Sequence, residues 1–205
     1  MLNELANKRI KKTIQMVSFA PYFISVTVMV GILMMLLDAR NGPINNLIAL
    51  LGGERVTFMG ESRLFVPIFI SSGVWQGMGY SAVVYLAALS SVDQELYEAA
   101  VIDGASRVQK IRNIDLPGIT PTIVILLILS AGGIMNQSFE KAFLMQNGLN
   151  IDASEIISTY VYKQGLLQMQ YSFSSAVGLF NSIINCSLLI IANFIARRMS
   201  ETSLF

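Results

Sequence analysis

The side chains able to do chemistry fall into two groups. One is the stretch Asp93 to Asp115, where Asp93, Glu95, Glu98, Asp103, Arg107, Lys110, Arg112 and Asp115 gather eight of the chain's charged residues. The other is scattered through apolar runs: Trp75, Gln76, Tyr80, Asn136, Gln137, Phe139, Glu140, Asn181 and Asn185. Neither group has the makings of a catalytic centre. Histidine is absent and the single cysteine, Cys186, lies in an apolar run. Zinc and similar metals are held mainly by Cys and His, so no metal site is expected. A lone cysteine also excludes a disulfide framework. No GxxxxGK[ST] phosphate loop occurs, so ATP hydrolysis by this chain, and a cofactor of its own, are not expected. What amides and rings in an apolar setting can do is bind. Amides hydrogen-bond to hydroxyls and rings stack on sugar faces, which suits Trp75, Gln76, Tyr80, Asn136, Phe139 and Glu140 to a carbohydrate path. The same amides can instead join helices, a reading that applies more to Asn181 and Asn185. Glu140 fits either a ligand contact or a simple acid at the membrane interface.

The elements that must position these residues are helices in a bilayer. The chain has 205 residues, 54% hydrophobic and 13% charged. A soluble domain carries about 25% charged residues. Net charge is +1, so nucleic acid is not an expected partner. Four runs have the length of a span, about 20 apolar residues: 14–37, 64–89, 119–135 and 176–196. None has an acidic or basic residue in its interior. Intramembrane charges usually mark ion pathways, so a proton- or sodium-driven carrier is not expected. The first run is too long for a signal-peptide core and is read as a retained helix. Gly73 and Gly77 form a GxxxG, read as close helix packing. Gly132 and Gly133 interrupt the third run beside Asn136 and Phe139.

Four spans place both termini on one side. The termini and the middle loop carry Lys8, Arg9, Lys11, Lys12, Arg107, Lys110, Arg112, Arg197 and Arg198. The other two loops carry Arg40, Arg55, Arg63, Lys141 and Lys163. The excess of basic residues predicts cytoplasmic termini and a cytoplasmic middle loop, 91–118. Of the outer loops, 38–63 reads as turn-rich and 139–175 as a structured cap with a helix in "EIISTYVYKQGLL".

Within the middle loop, Ser91 or Asp93 can cap a helix whose first turns hold Glu95 and Glu98. Gly104 stops it, because glycine takes the left-handed cap conformation cheaply. A second short helix runs from Ser106 to about Asn113. Pro117 and Pro121 mark the start of the third span. Leu96, Ala99, Ala100 and Asp103 share one side of the first helix, where two alanines let a partner approach closely.

Glu98-Ala99-Ala100, three residues, Gly104, nine residues, Ile114, one residue, then Leu116-Pro117 resembles the EAA loop of permease subunits of bacterial binding-protein-dependent ABC importers. The stretches "ELYEAAVIDGAS", "LPGITPTIVILLIL", "FEKAFLMQN" and "ARRMSETSLF" resemble the carbohydrate branch of type I importers, close to LplB-like oligosaccharide permeases, and the resemblance covers the whole chain as one permease domain, 1–205. It implies an all-α membrane protein with four of the family's usual six spans and a cytoplasmic EAA coupling helix, the two N-terminal spans being absent. It implies that Glu98, Ala99, Ala100, Gly104, Ile114, Leu116 and Pro117 contact a cytoplasmic ABC ATPase dimer, which uses the ATP. It further implies a second, related permease as heterodimer partner, a solute-binding protein outside, and a place in the bacterial cytoplasmic membrane. The alternative is a shortened remnant that binds the ATPase or partner permease and transports nothing.

Overall fold

A computed structural model of the chain describes residues 8–136 and 138–199. Among them the α-helices are α1 (Lys8–Phe19), α2 (Val26–Leu36), α3 (Pro43–Leu50), α4 (Ser62–Ser90), α5 (Gln94–Ile102), α6 (Arg107–Lys110), α7 (Leu116–Gly132), α8 (Phe139–Met145), α9 (Ile151–Ser154), α10 (Ile157–Tyr162) and α11 (Tyr171–Met199). They form two compact units. One comprises the described residues of 12–79 and 136–179, the other residues 8–11, 80–135 and 180–199.

Among the described residues, the expected four spans are corrected to two helices long and apolar enough to cross a membrane, Arg107–Gly132 and Tyr171–Arg197, or three if a bent pair counts as one. That pair is Met16–Phe23 with Val26–Leu36, bent by 108°. The break replaces the first predicted span, and its cause is local. Pro21 sits in a 3-10 turn, Ala20–Phe23, and Ser25 is extended at φ −62° and ψ 153°. The Ser25 hydroxyl accepts from Val28 N at 3.3 Å and starts α2 as a fresh helix. The second predicted span is a continuous helix, α4, of 29 residues. It does not reach span-like apolarity because its middle carries Ser71, Ser72, Gly73, Gln76, Gly77, Gly79 and Tyr80. Absence of charge is a weaker requirement than apolar composition, and the run at 64–89 met only the weaker one, whereas the run at 14–37 is apolar enough but bent. The fold by itself does not mark a coupling helix either: α5 is a short helix with no buried residue.

The third span is longer than predicted. A π-helical turn, Ile111–Asp115, joins α6 to α7, with Leu116 N donating to Ile111 O. Pro117 follows directly on this π-helical turn, which takes up the break that a proline makes in the regular hydrogen-bond ladder.

In the unit of residues 12–79 and 136–179, the core is Val30, Phe65 and Met145, packed by Val26, Met59, Ile68, Phe69, Leu144 and Ala153. Two buried asparagines hold its loops. Asn45 donates to Asp38 O at 3.0 Å and Val56 O at 2.9 Å, and accepts from Val56 N at 2.8 Å. It organises the loop 38–63, whose helix α3 the turn-rich sequence did not announce. Asp38 closes a turn by accepting from Asn41 N and Arg40 N, and those two backbone bonds hold its carboxyl below its ordinary pKa. Asn150 donates to Met145 O at 3.1 Å and Met59 O at 3.0 Å, clamping the end of α8 to the approach to α4. Asn45→Ala strands the Val56 amide and two carbonyls, so a loss of about 2 kcal/mol is expected. In a thermal melt of the detergent-purified protein this reads as a drop of about 4–8 °C, and an unchanged melting temperature would show the loop to be self-sufficient.

In the other unit, Gly132 approaches Leu189, whose Cδ1 lies 2.7 Å from where a Cβ would stand. Helix α7 ends there, Gly133 and a 3-10 turn, Ile134–Asn136, follow, and Met135 N donates to Asn185 Oδ1 at 3.3 Å. The glycine pair does interrupt the third run, and Asn185 acts as helix glue. Asn181 is buried, and its Oδ1 has no hydrogen-bond partner among the described residues.

Candidate functional site

The unit of residues 12–79 and 136–179 holds an open cavity of about 720 Å³ at the bend between α1 and α2, walled by α4 and by the start of α8. Helix α8 packs against α2 and α10, and its Lys141, Ala142 and Met145 are buried on one face. That packing brings a charged pair of neighbours, Glu140 and Lys141, to the cavity wall. The Glu140 carboxylate accepts from Thr27 Oγ1 at 2.9 Å. The Lys141 ammonium donates to Phe69 O at 2.7 Å and lies 4.8 Å from the centre of the Phe69 ring. Burial pushes the Lys141 pKa down. Gln76 donates to Ile24 O at 2.9 Å, satisfying a carbonyl that the broken helix leaves free. Phe139 stacks on Phe143 and tilts against Tyr162 at centroid distances of 5.7 and 5.4 Å. Rings, an amide, a carboxylate and an ammonium therefore face one space. Such a lining offers hydrogen bonds and ring faces to a ligand, and among the described residues no group of His, Cys, Asp or Glu is placed to hold a metal.

Of the six residues predicted for a substrate path, the structure brings together Gln76, Phe139 and Glu140. Trp75 and Tyr80 are exposed and are not part of the cavity wall. The Asn136 side chain and Gln137 lie outside the described residues. Sequence reasoning missed Lys141, Phe69, Tyr22 and Thr27. In the sequence Lys141 reads as a loop charge, and the sole hint is its place in an apolar segment, "FEKAFLM". The GxxxG reading is also revised. A Cβ at Gly73 would meet Lys141 Nζ at 3.2 Å, and one at Gly77 would meet nothing within 4 Å. Gly73 thus gives clearance to an ammonium, and Gly77 makes no close helix approach.

The charged stretch folds as its local chemistry predicts. Asp93 caps α5 by accepting from Glu95 N at 3.0 Å. Gly104 stands at φ +68°, with Gly104 N donating to Val101 O and Ala105 N to Ala100 O, the two bonds of a Schellman stop. Ser106 and Gln109 form a capping box. The Tyr97 hydroxyl donates to Asp115, tying α5 to the turn before α7. Ala99, Ala100, Asp103 and Ile114 line a shallow depression with Leu96 and Lys110, whereas Glu98 lines a separate one with Val101 and Ile102. Leu116 and Pro117 begin α7.

The chain was compared with known families, proteins and structures. Residues 2–201 match the model of the family described as "Binding-protein-dependent transport system inner membrane component". Protein LplB of Bacillus subtilis is 40% identical over 205 residues, all of this chain and 64% of that protein. The polygalacturonan/rhamnogalacturonan transport system permease protein YteP of the same organism is 38% identical, with the same coverage. The chain thus spans 64% of the length of these two relatives. Among solved structures, a chain of a bacterial alginate ABC transporter, in complex with an alginate pentasaccharide-bound periplasmic protein, superposes with a TM-score of 0.96 at 36% identity, covering all of this chain and 71% of that one. With a match over nearly its whole length and relatives this close, the chain belongs to the family of inner membrane components of binding-protein-dependent transport systems.

Proposed function

We propose that the chain is a permease subunit of an ATP-driven importer that moves an oligosaccharide or another carbohydrate across the cytoplasmic membrane. The observation that carries this reading is the cavity where Gln76, Phe139 and Glu140 meet, in a family member similar to a permease named for polygalacturonan/rhamnogalacturonan transport and to a chain of an alginate ABC transporter. Hydrogen-bonding groups beside rings are what sugar hydroxyls and sugar faces require. ATP is hydrolysed by a separate cytoplasmic ATPase dimer, against which Glu98, Ala99, Ala100, Gly104, Ile114, Leu116 and Pro117 dock. A solute-binding protein delivers the sugar from outside, and a second permease completes the path. The cluster of Arg107, Lys110 and Arg112 supports a cytoplasmic place for the segment that faces the ATPase. The test is uptake of labelled oligosaccharides by cells with and without the gene, and with and without ATPase function. Uptake that needs both is expected. Sugar uptake unchanged by loss of the gene would sink the reading, and uptake that survives loss of the ATPase would replace it with an ATP-independent carrier.

A further inference from the structure

Helix α5 lies at the surface, yet side chains fasten it to a helix of membrane-crossing length. Its nine residues include none that is buried, and a helix this short is marginal without outside contacts. Its neighbour is the stretch Arg107–Gly132, which runs without a break through α6, the π-helical turn and α7. One tie is the Tyr97 hydroxyl, which donates to the Asp115 carboxylate in a part-buried setting. Asp115 is the last residue of the π-helical turn, and its side chain caps no amide of α7. A second contact lies beside it. Val92, in the turn before α5, stands over Gly118 in the first turn of α7. A Cβ on Gly118 would lie 2.6 Å from Val92 Cγ2, so the missing side chain is what lets the two segments meet. Both contacts hold the N-terminal half of α5. At its other end Val101 and Ile102 are exposed. The helix is therefore anchored at one end and presented at the other.

Resting on the reading above that this segment meets the ATPase, we propose that Tyr97 and Asp115 are positioning residues for transport. With Val92 and Gly118 they form the joint through which a displacement of α5 reaches the helix Arg107–Gly132. A hydrogen bond fixes both distance and direction, and one to a carboxylate is roughly twice as strong as a neutral one. Because Arg107–Gly132 is continuous, what moves Asp115 moves the membrane-length segment after it. The joint and the docking face share α5 but use different atoms. The Tyr97 ring borders the same depression as Glu98, while its hydroxyl is turned to Asp115. Removing the hydroxyl alone therefore cuts the joint and leaves the surface offered to the ATPase in place.

The test uses the transporter assembled with its ATPase, partner permease and binding protein in vesicles, and reads sugar imported per ATP hydrolysed. Loss of a hydrogen bond to a charged group corresponds to roughly a tenfold change in an equilibrium, so Tyr97→Phe is expected to lower sugar per ATP about tenfold. The amount of ATPase that copurifies with the permease is expected to stay as in wild type. Asp115→Leu is expected to match Tyr97→Phe, and the two together to be no worse than either alone, since both remove one interaction. Asp115→Asn keeps an acceptor oxygen and is expected to retain most of the wild-type ratio. Gly118→Ala is expected to disturb the joint, and Val92→Ala to restore it by removing the methyl groups that the new one meets. Wild-type sugar per ATP in Tyr97→Phe overturns the proposal, as do additive losses in the pair or loss of the ATPase from the complex. A second readout needs no sugar. A fluorophore on Leu129→Cys, exposed on α7, in a Cys186→Ser background, reports movement of α7 when a non-hydrolysable ATP analogue binds. The signal is expected in wild type and lost in Tyr97→Phe; a signal that survives there overturns the joint while the import reading stands. If vesicles with Tyr97 intact import no sugar yet give a signal that Tyr97→Phe removes, the import reading falls and the joint stands. If they give neither import nor signal, both fall.

Discussion

Gly104→Pro is expected to abolish ATP-driven uptake while leaving the protein in the membrane. Gly104 has φ +68°, and proline is locked near −65°. The substitution also removes the N–H that donates to Val101 O. Both effects undo the stop of α5, so Val101, Ile102 and the Ala99–Ala100 face would no longer stand where the ATPase is proposed to dock. All these residues lie in an exposed segment with no buried member, so the rest of the fold has little to lose. Uptake is expected to fall at least about tenfold. Gly104→Asn should fall much less, because asparagine tolerates the left-handed region better than other residues with a side chain. Glu98→Lys, which reverses the charge in the second depression, is expected to uncouple transport in the same way. The measurement is uptake alongside ATPase stimulation by substrate, normalised to the amount of permease in the membrane. Wild-type uptake in both Gly104→Pro and Glu98→Lys would remove this segment as the ATPase contact.

Gly79→Ala is expected to be strongly destabilising, because the added methyl group meets backbone. A Cβ at this position would lie 2.3 Å from Ser18 O, 2.8 Å from Phe19 Cα and 3.0 Å from Ser18 C. All three are backbone atoms of the last turn of α1, so no side chain can rotate away. Either α1 or α4 must shift, and overpacking of this kind costs about 1–3 kcal/mol. In a chain of this size that corresponds to a fall in melting temperature of roughly 2–12 °C. Gly31→Ala is the control. It lies within α2, where an added Cβ meets nothing within 4 Å, and alanine in a helix interior is favoured over glycine by about 0.5–1 kcal/mol. A stability unchanged by Gly79→Ala would mean that α1 does not press on α4 at Gly79.

Whatever rests on interactions a few residues long was legible before any coordinates. The Asp93 cap, the Gly104 stop, the second helix from Ser106 and the helical character of Ile157–Tyr162 all depend on neighbours within about five positions, and each is present. The apolar runs of the third and fourth predicted spans are helices long enough to cross a membrane. The first and second were misjudged for different reasons. Pro21 and Ser25 were visible as helix breakers, yet a run without charge was taken as one element, and the 108° bend was not foreseen. In α4 the small and polar residues from Ser71 to Tyr80 were visible too, but their use was not. Ser72 is buried and bonds to its own helix at Ile68 O, Gly73 makes room for Lys141, Gln76 serves the Ile24 carbonyl, and Gly79 lets α1 approach.

The sequence by itself determined the class of the molecule. Its composition points to a membrane, and the spacing from Glu98 to Pro117 carries the family resemblance that the comparisons established as membership. The tertiary structure alone decided which polar residues share a cavity. Lys141 and Phe69 are 72 residues apart, and Thr27 and Glu140 are 113 apart. Contacts over such separations follow from how α2, α4 and α8 pack, and no local preference of lysine or phenylalanine encodes that. The same holds for the cost of burying the ammonium, because desolvation is a property of the whole surround and exists only after the helices have met.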